Sequence, residues 1–242
     1  MSVVYSHEYF GEQAEHAAER IVALVNEWLA PRTVLDVGCG LGVWLAAWAR
    51  RGTEVLGMDG DYVDRGKLRI DPALFIPARL EQAFDAQRTF DLVMSLEVAE
   101  HLDEGAAEEF VSSLGRHSDA VLFSAAIPRQ GGEHHVNCQW PSYWRAKFES
   151  AGYQAFDVIR PRIWADESIV WWYRQNIVLY ARGAAADMLR SVPAAEAPFD
   201  LVHPNWYLDS TADVSVVEMT VRWAKAVRRA VGHRLGQPTS KD

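Results

Sequence analysis

Cysteine, long apolar runs and positive charge are all scarce in this chain. Cys39 and Cys138 are the only cysteines, which excludes a fold held together by a framework of disulfide bridges. The longest unbroken apolar run, Val43 to Ala49, is far shorter than a membrane span. The first residues, MSVVYSHEYFGEQ, have neither the charged nor the apolar region of a secretion signal. These features predict a soluble, cytoplasmic protein with no membrane partner.

The charge balance is acidic. Thirty-three Asp and Glu residues stand against 24 Lys and Arg residues, which gives a formal net charge of −9 over 242 residues. A nucleic-acid surface normally carries a basic footprint, so nucleic acid is disfavoured as a partner. With 49% hydrophobic and 24% charged residues, the chain has the composition of one large globular domain or a domain with an extension.

Strand-like and helix-like segments alternate through most of the chain. Helical periodicity is clear in residues 12–29, and compact apolar segments follow as strand candidates: 33–38, 53–59, 91–96 and 120–127. Further helical segments are expected at about 102–116 and 141–151. Strands alternating with helices imply βαβ units, so the sequence predicts an α/β fold with a doubly wound, Rossmann-like, mostly parallel sheet.

The pattern changes after Gly152. YQAFDVIR and NIVLYAR are two strand-like stretches with no clear helix between them, which predicts an antiparallel strand at the sheet edge. Near the C-terminus, about 212–233, apolar residues recur every three to four positions. We therefore predict a domain over residues 1–182 and a C-terminal extension over 183–242 with an amphipathic helix, docked on the domain or on a second copy in a homodimer.

The strongest chemical signal is DVGCGLG, Asp36 to Gly42. Its glycines follow a strand directly, so the backbone can turn tightly there and come close to a ligand. A second strand ends in the acidic stretch MDGD, where a carboxylate such as that of Asp59 can bind both hydroxyls of a ribose. The two motifs together predict a nucleoside-containing cofactor.

DVGCGLG, MDGD and DLVMSLEVAEHL together resemble the class I S-adenosylmethionine-dependent methyltransferases over residues 5 to 182. The resemblance implies contacts with the cofactor for these residues: Asp36, Gly38, Cys39, Gly40, Gly42, Asp59, Gly60, Ser95 and Leu96. In the family pattern, Asp59 binds the ribose and Asp36 orients the glycine loop. Many members also place an acidic residue at the end of the third strand, where this chain has Ala78, Arg79 and Leu80.

The stretch SLEVAEHL, residues 95–102, carries Glu97, Glu100 and His101 at helical offsets of three and four residues, which would bring them to one face. After the next strand, His134 or His135 could meet them at the ligand crevice, with His135 as the chosen candidate. Such donors suit Mg²⁺ or Mn²⁺. The E-x-x-E-H element with a downstream histidine is similar to metal-dependent small-RNA 2′-O-methyltransferases and, in part, to ubiquinone-pathway O-methyltransferases.

Other interpretations of these residues remain open. His101 or His135 could act alone as a general base without a metal, and the acidic residues could serve only as a helix start. The string FSAAIPRQGGEHHVNCQWPSYW with WWYRQN at 171–176 resembles a bacterial methyltransferase subgroup associated with polysaccharide and natural-product pathways. Its aromatic residues would stack on a sugar or an aromatic acceptor.

The sequence therefore predicts an O-methyltransferase that acts on a sugar hydroxyl of a glycan or glycosylated small metabolite. A divalent metal could assist this reaction. The first alternative is a metal-independent N- or O-methyltransferase of an aromatic natural product. The second is a non-catalytic domain that binds the cofactor or a protein partner.

Overall fold

The computed structural model describes residues 11–193 and 199–211. The described strands are β1 Thr33–Val37, β2 Glu54–Asp59, β3 Phe75–Pro77, β4 Leu92–Leu96, β5 Ala120–Ser124, β6 Gln154–Phe156 and β7 Val178–Ala181. The described α-helices are α1 Gly11–Leu29, α2 Val43–Ala49, α3 Ala107–His117, α4 Pro141–Ser150, α5 Arg160–Ile163, α6 Trp171–Asn176, α7 Gly183–Leu189 and α8 Pro204–Thr211.

The strands form one sheet in the order β3-β2-β1-β4-β5-β7-β6. β1 to β5 run parallel to one another, whereas β7 runs antiparallel to both β5 and β6. The predicted doubly wound, mostly parallel sheet with an antiparallel edge is therefore confirmed. Because the strand order reverses between β1 and β4, a ligand crevice opens at the carboxyl ends of these strands.

Two helical layers cover the sheet. On one face, α1, α2 and α7 bury apolar residues such as Ile21 and Trp48; on the other, α3 and α4 bury residues such as Phe110 and Phe148. The central strands β4 and β5 are buried along their whole length, as expected for parallel strands covered on both sides. The loops at the carboxyl ends of the strands are thus held by a rigid core.

The segment between β6 and β7 differs from the expectation of no helix. It contains α5 and α6, of four and six residues. Helices this short span little more than one turn, so they leave no periodicity that a sequence pattern could reveal. α6 matters for the site because its first residues line the ligand cavity.

The chain divides into two compact units, the first up to His203 and the second from Pro204. In the first unit, α7 buries Ala186 and Leu189 against the core that also contains α1. The predicted boundary between residues 182 and 183 stays a prediction. The amphipathic helix predicted at about 212–233 lies outside the described residues. Within the described part of the chain, every helix is too short or too polar to cross a membrane.

Candidate active site

A cavity of about 1320 Å³ lies at the carboxyl ends of β1, β2, β4 and β5. One part of its wall is formed by the glycine loop and the end of β2: Gly38, Gly40, Asp59 and Gly60. Another part carries ionisable side chains and aromatic rings: Glu97, Glu100, His101, His135, Trp171, Trp172 and Tyr173. We call these parts the glycine end and the carboxylate end. Both open into the same space, so two ligands bound there would meet.

The glycine end is built by backbone geometry. Gly38, Gly40 and Gly42 all have positive φ angles, of 84°, 52° and 77°. The amide of Gly38 donates to the Met58 carbonyl at 2.7 Å, which fixes the loop against β2. L-amino acids with a side chain rarely adopt such angles, and this explains the glycines of DVGCGLG.

Replacing Gly38 with alanine is expected to lower the free energy of unfolding by about 2 kcal/mol or more, through a left-handed backbone and a clash. A Cβ at Gly38 would lie 2.2 Å from Cγ2 of Val98. Gly40→Ala is the matched control, because its φ is also positive but a Cβ there meets nothing within 4 Å. Urea denaturation of the ligand-free variants measures the difference. Equal losses for both variants would contradict the clash.

Asp59 ends β2 with its carboxylate beside the glycine loop. Its Oδ2 accepts from the Gly40 amide at 2.7 Å, and its Oδ1 accepts from the Gly60 amide and the Tyr62 hydroxyl, each at 2.6 Å. These bonds fix the carboxylate at the cavity wall although its side chain is buried. No sequence motif singled out Tyr62; the available signal was its position three residues after the predicted ribose ligand.

The carboxylate end begins where β4 leaves the sheet. Glu97 has a φ of 56°, and residues Ala99–His101 form a 3₁₀ turn. The helical arrangement considered for Glu97, Glu100 and His101 is therefore replaced by a tighter turn. The physical cause is a tertiary contact: the Glu97 amide donates to both the carbonyl and the hydroxyl of Ser124 on β5, which holds the chain at the strand end before the turn starts.

Three side chains converge at this turn: Glu100, His101 and His135. One ligand atom from each lies within 4.8 Å of the others. The amides of Val136 and Asn137 donate to the Glu100 carbonyl at 2.9 and 3.0 Å, so the loop after β5 is held against the turn and brings His135 into place. His135 Nε2 lies 4.0 Å from Glu100 Oε1, and the two imidazole rings lie 4.9 Å apart.

Glu100 is fully buried, and neither carboxylate oxygen has a hydrogen-bond partner of acceptable geometry among the described residues. Burial, followed by the charge of Glu97, raises the pKa of Glu100 well above its ordinary value. Burial lowers the pKa of His101 to about 4, with a contribution from His135, and it also lowers the pKa of His135. Both imidazoles therefore favour the neutral form, and the Glu100 carboxyl favours the protonated form unless a cation compensates its charge. One carboxylate and two neutral imidazoles are a donor set that fits a divalent cation.

A family model described as a methyltransferase domain matches residues 10–176, which is more than half of the chain. The chain belongs to this family. Among curated relatives, a ubiquinone biosynthesis O-methyltransferase from Mesorhizobium japonicum is 30% identical over 107 residues, covering 40% of this chain and 41% of that protein. The methyltransferase chain thus matches about two fifths of the length of this relative.

Solved structures share the fold of this methyltransferase. The sugar N-methyltransferase KedS8 from Streptoalloteichus sp. ATCC 53650 matches with a TM-score of 0.58 and 18% identity, over 75% of this chain and 94% of that one. Magnesium protoporphyrin IX methyltransferase from Synechocystis PCC 6803 with bound SAH matches with a TM-score of 0.52 and 16% identity, over 76% and 90%. The predicted resemblance to class I S-adenosylmethionine-dependent methyltransferases is confirmed, and S-adenosylmethionine is supported as the cofactor.

The methyltransferase brings part of the predicted cofactor set to the cavity wall. Gly38, Gly40, Asp59, Gly60 and Leu96 line the cavity. The other predicted residues do not line it: Asp36, Cys39, Gly42 and Ser95. Their predicted contacts stay predictions. At the end of β3, the cavity wall continues through the stretch 77–82, which includes the acidic side chain of Glu81 just after the position where many family members carry an acid.

Asp36 lies buried behind the glycine loop, and burial, with the charge of Asp59, raises its pKa to about 8. Between its unfolded pKa of about 4 and this value, the folded protein holds a proton that the unfolded chain has released. The stability of the ligand-free methyltransferase should therefore fall relative to Asp36→Asn as pH rises from 5 to 8, and the difference should become constant at higher pH. Melting temperatures of both proteins across this range test the sign. A constant difference from pH 5 to 9 would contradict the buried proton.

Glu97 lies near the three converging side chains, but its carboxylate accepts hydrogen bonds from two carboxamides. Asn176 Nδ2 donates to its two oxygens at 3.2 and 3.4 Å, and Gln130 Nε2 donates to Oε2 at 3.2 Å. Of the four predicted metal ligands, the structure thus brings together Glu100, His101 and His135, and it holds Glu97 beside them through two carboxamides. Neither Gln130 nor Asn176 was singled out in the sequence.

The predicted aromatic residues separate into two groups. Trp171, Trp172 and Tyr173 line the cavity from α6. Trp144 is instead part of the core, where its ring lies 5.1 Å from that of Phe123. The aromatic rings at the carboxylate end of the cavity therefore come from WWYRQN, residues 171–176, and not from WPSYW, residues 140–144.

Proposed function

We propose that this methyltransferase transfers a methyl group from S-adenosylmethionine to a sugar hydroxyl of a glycan or glycosylated small metabolite, with a divalent cation held by Glu100, His101 and His135. The observation that carries the proposal is the buried carboxylate of Glu100, which has no hydrogen-bond partner of acceptable geometry in the described part of the chain and converges with two imidazoles inside the cavity that the glycine loop also lines. A carboxylate of this kind costs free energy unless a cation or proton compensates it.

The glycine end fits the cofactor. The backbone of Gly38 and Gly40 leaves room for a ligand to approach, and the fixed carboxylate of Asp59 is placed to accept hydrogen bonds from ribose hydroxyls. When bound, S-adenosylmethionine supplies a methyl group on a positively charged sulfur, which an acceptor oxygen takes as the carbon–sulfur bond breaks. Gly38, Gly40 and Asp59 would hold the cofactor in the cavity that the acceptor also enters, so that acceptor and methyl group could be aligned.

The carboxylate end fits an oxygen acceptor. Mixed carboxylate and imidazole donors suit Mn²⁺ better than Mg²⁺, which prefers oxygen ligands throughout. A bound cation would acidify a hydroxyl that it touches and would favour acceptors whose neighbouring hydroxyls chelate it. Trp171 and Trp172 line the cavity with their rings edge to face, centroids 5.6 Å apart, and either ring would offer an apolar face to a sugar ring.

A second candidate is a metal-independent methyltransferase of an aromatic natural product. The three adjacent aromatic residues at the cavity wall, Trp171, Trp172 and Tyr173, favour it because they could enclose a flat acceptor. The neutral imidazole of His101 or His135 would then accept the acceptor's proton. The two candidates differ in whether the histidines hold a cation or a proton.

The test measures S-adenosylhomocysteine formation with a panel of glycosides that have vicinal hydroxyls. Each glycoside is compared with a deoxy analogue that lacks one of these hydroxyls. We expect turnover of the diol, turnover of the deoxy compound at least about 10-fold lower, loss of activity with EDTA and recovery with Mn²⁺. Activity on aromatic acceptors that EDTA does not change would favour the second candidate. A protein that binds S-adenosylhomocysteine but turns over no acceptor of either class would contradict both.

A further inference from the structure

A row of buried carboxamides leads away from the carboxylate end. Asn176 donates to Glu97, and its Oδ1 accepts from Gln175 Nε2 at 2.9 Å. Gln175 Oε1 in turn accepts from the His203 amide at 2.7 Å. Asn176, Gln175 and His203 are each at most 3% exposed. In this orientation every donor meets an acceptor, whereas reversing either amide would place two NH₂ groups or two oxygens against each other.

The far end of this row is anchored by residues 199–203, which we call the strap. The fully buried Arg160 donates to the carbonyls of Gln175 and Phe199 at 3.1 and 2.9 Å and pairs with Asp157. Asp200 accepts from the Ser142 amide at 2.8 Å at the start of α4. The strap is thus bonded to the rest of the first unit at several points, and these bonds fix the position of Gln175.

At the near end, Glu97 requires such support. It is a half-buried, non-glycine residue with a positive φ, and its carboxylate interacts electrostatically with that of Glu100. The Asn176 and Gln130 carboxamides, themselves joined by a 3.1 Å hydrogen bond, donate to its oxygens from two directions. With these donors in place, the Glu97 side chain has one favoured position, three residues before Glu100 in the chain.

We propose that Asn176 and Gln175 are positioning residues, which hold Glu97 and through it orient Glu100 toward His101 and His135. The inference rests on the proposed function, because its readout is the cation site. The residues act through their hydrogen bonds, and neither is proposed to touch the acceptor or the cofactor. Residues that orient metal ligands from behind commonly change metal affinity by about 10- to 100-fold when they are replaced.

The experiment titrates Mn²⁺ into the full chain saturated with S-adenosylhomocysteine and follows free Mn²⁺ by electron paramagnetic resonance. Asn176→Asp keeps the shape of the side chain but removes both donors, and we expect Mn²⁺ to bind about 10- to 100-fold more weakly. Gln175→Leu acts one residue further away and should weaken binding less. Asn26→Asp, the same substitution on α1 remote from the cavity, is the control and should leave Mn²⁺ binding unchanged.

A second readout separates positioning from general damage. Calorimetric affinity for S-adenosylhomocysteine should stay within about 2-fold of wild type in every variant, because neither Gln175 nor Asn176 is among the residues that line the cavity. If Asn176→Asp fails to fold, Gln175→Leu decides alone. Wild-type Mn²⁺ affinity in the folded variants would overturn this inference and leave the proposed cation site intact. Absence of Mn²⁺ binding in the wild type would overturn the proposed cation site and this inference with it.

Discussion

Replacing Asp59 with alanine is expected to weaken the binding of S-adenosylhomocysteine by about 100-fold or more. Each hydrogen bond to a charged group contributes about 1.5–3 kcal/mol, and about 1.4 kcal/mol corresponds to a factor of ten. Two ribose hydroxyls bonded to one carboxylate therefore account for the effect. The variant also loses the bond that orients the Gly40 amide, so the glycine loop is less well arranged for the ligand.

Isothermal titration calorimetry with S-adenosylhomocysteine measures this change, and Asp61→Ala is the matched control. Asp61 lines the same cavity two residues later but is exposed, so its loss should change the affinity by less than about 3-fold. Equal effects of the two substitutions would mean that the general negative charge of this wall, and not the fixed carboxylate of Asp59, attracts the ligand.

Replacing Glu100 with glutamine is expected to weaken Mn²⁺ binding by about 100-fold or more, since a ligand and its negative charge are both removed from a site with two neutral imidazoles. Affinity for S-adenosylhomocysteine in the absence of metal should stay unchanged. At a pH above the raised pKa of Glu100, the free energy of unfolding of the metal-free variant should be equal to or higher than that of the wild type, because a buried charge is replaced by a neutral amide of the same shape.

The control for this substitution is Glu133→Gln, an exposed glutamate on the same cavity wall. Its Mn²⁺ affinity should match that of the wild type. A similar weakening in both variants would indicate diffuse electrostatic attraction of the cation. Unchanged binding in Glu100→Gln would remove this carboxylate from the cation site.

The parts of the fold that the sequence predicts are those with a local pattern. The β-branched run of β1 and the glycines that follow it are adjacent in the chain, so both the strand and the turn at its end are readable. The helical periodicity of α1 spans 19 residues and is equally clear. α5 and α6 offer no such repeat, and their existence depends on packing between β6 and β7.

The site follows the same distinction. Asp59 is found from its place at a strand end, and Glu100 with His101 from their adjacency. The contact between Glu97 and Asn176 joins residues 79 positions apart. The sequence around Glu97 contains no pattern that points to Asn176, and the sequence around Asn176 contains none that points to Glu97. Only the folded structure shows that two carboxamides donate hydrogen bonds to this carboxylate. The left-handed conformation of Glu97 likewise results from its bonds to Ser124 on the next strand.

Val98 touches both ends of the cavity. Its methyl groups occupy the place where a Cβ of Gly38 would lie, and it stands between Glu97 and Glu100 in the turn. If cofactor binding shifted the glycine loop, Val98 would transmit the shift to the turn that contains Glu100 and His101. The two binding equilibria would then be linked, and the linkage would be reciprocal: the factor by which S-adenosylhomocysteine changes the affinity for Mn²⁺ must equal the factor by which Mn²⁺ changes the affinity for S-adenosylhomocysteine.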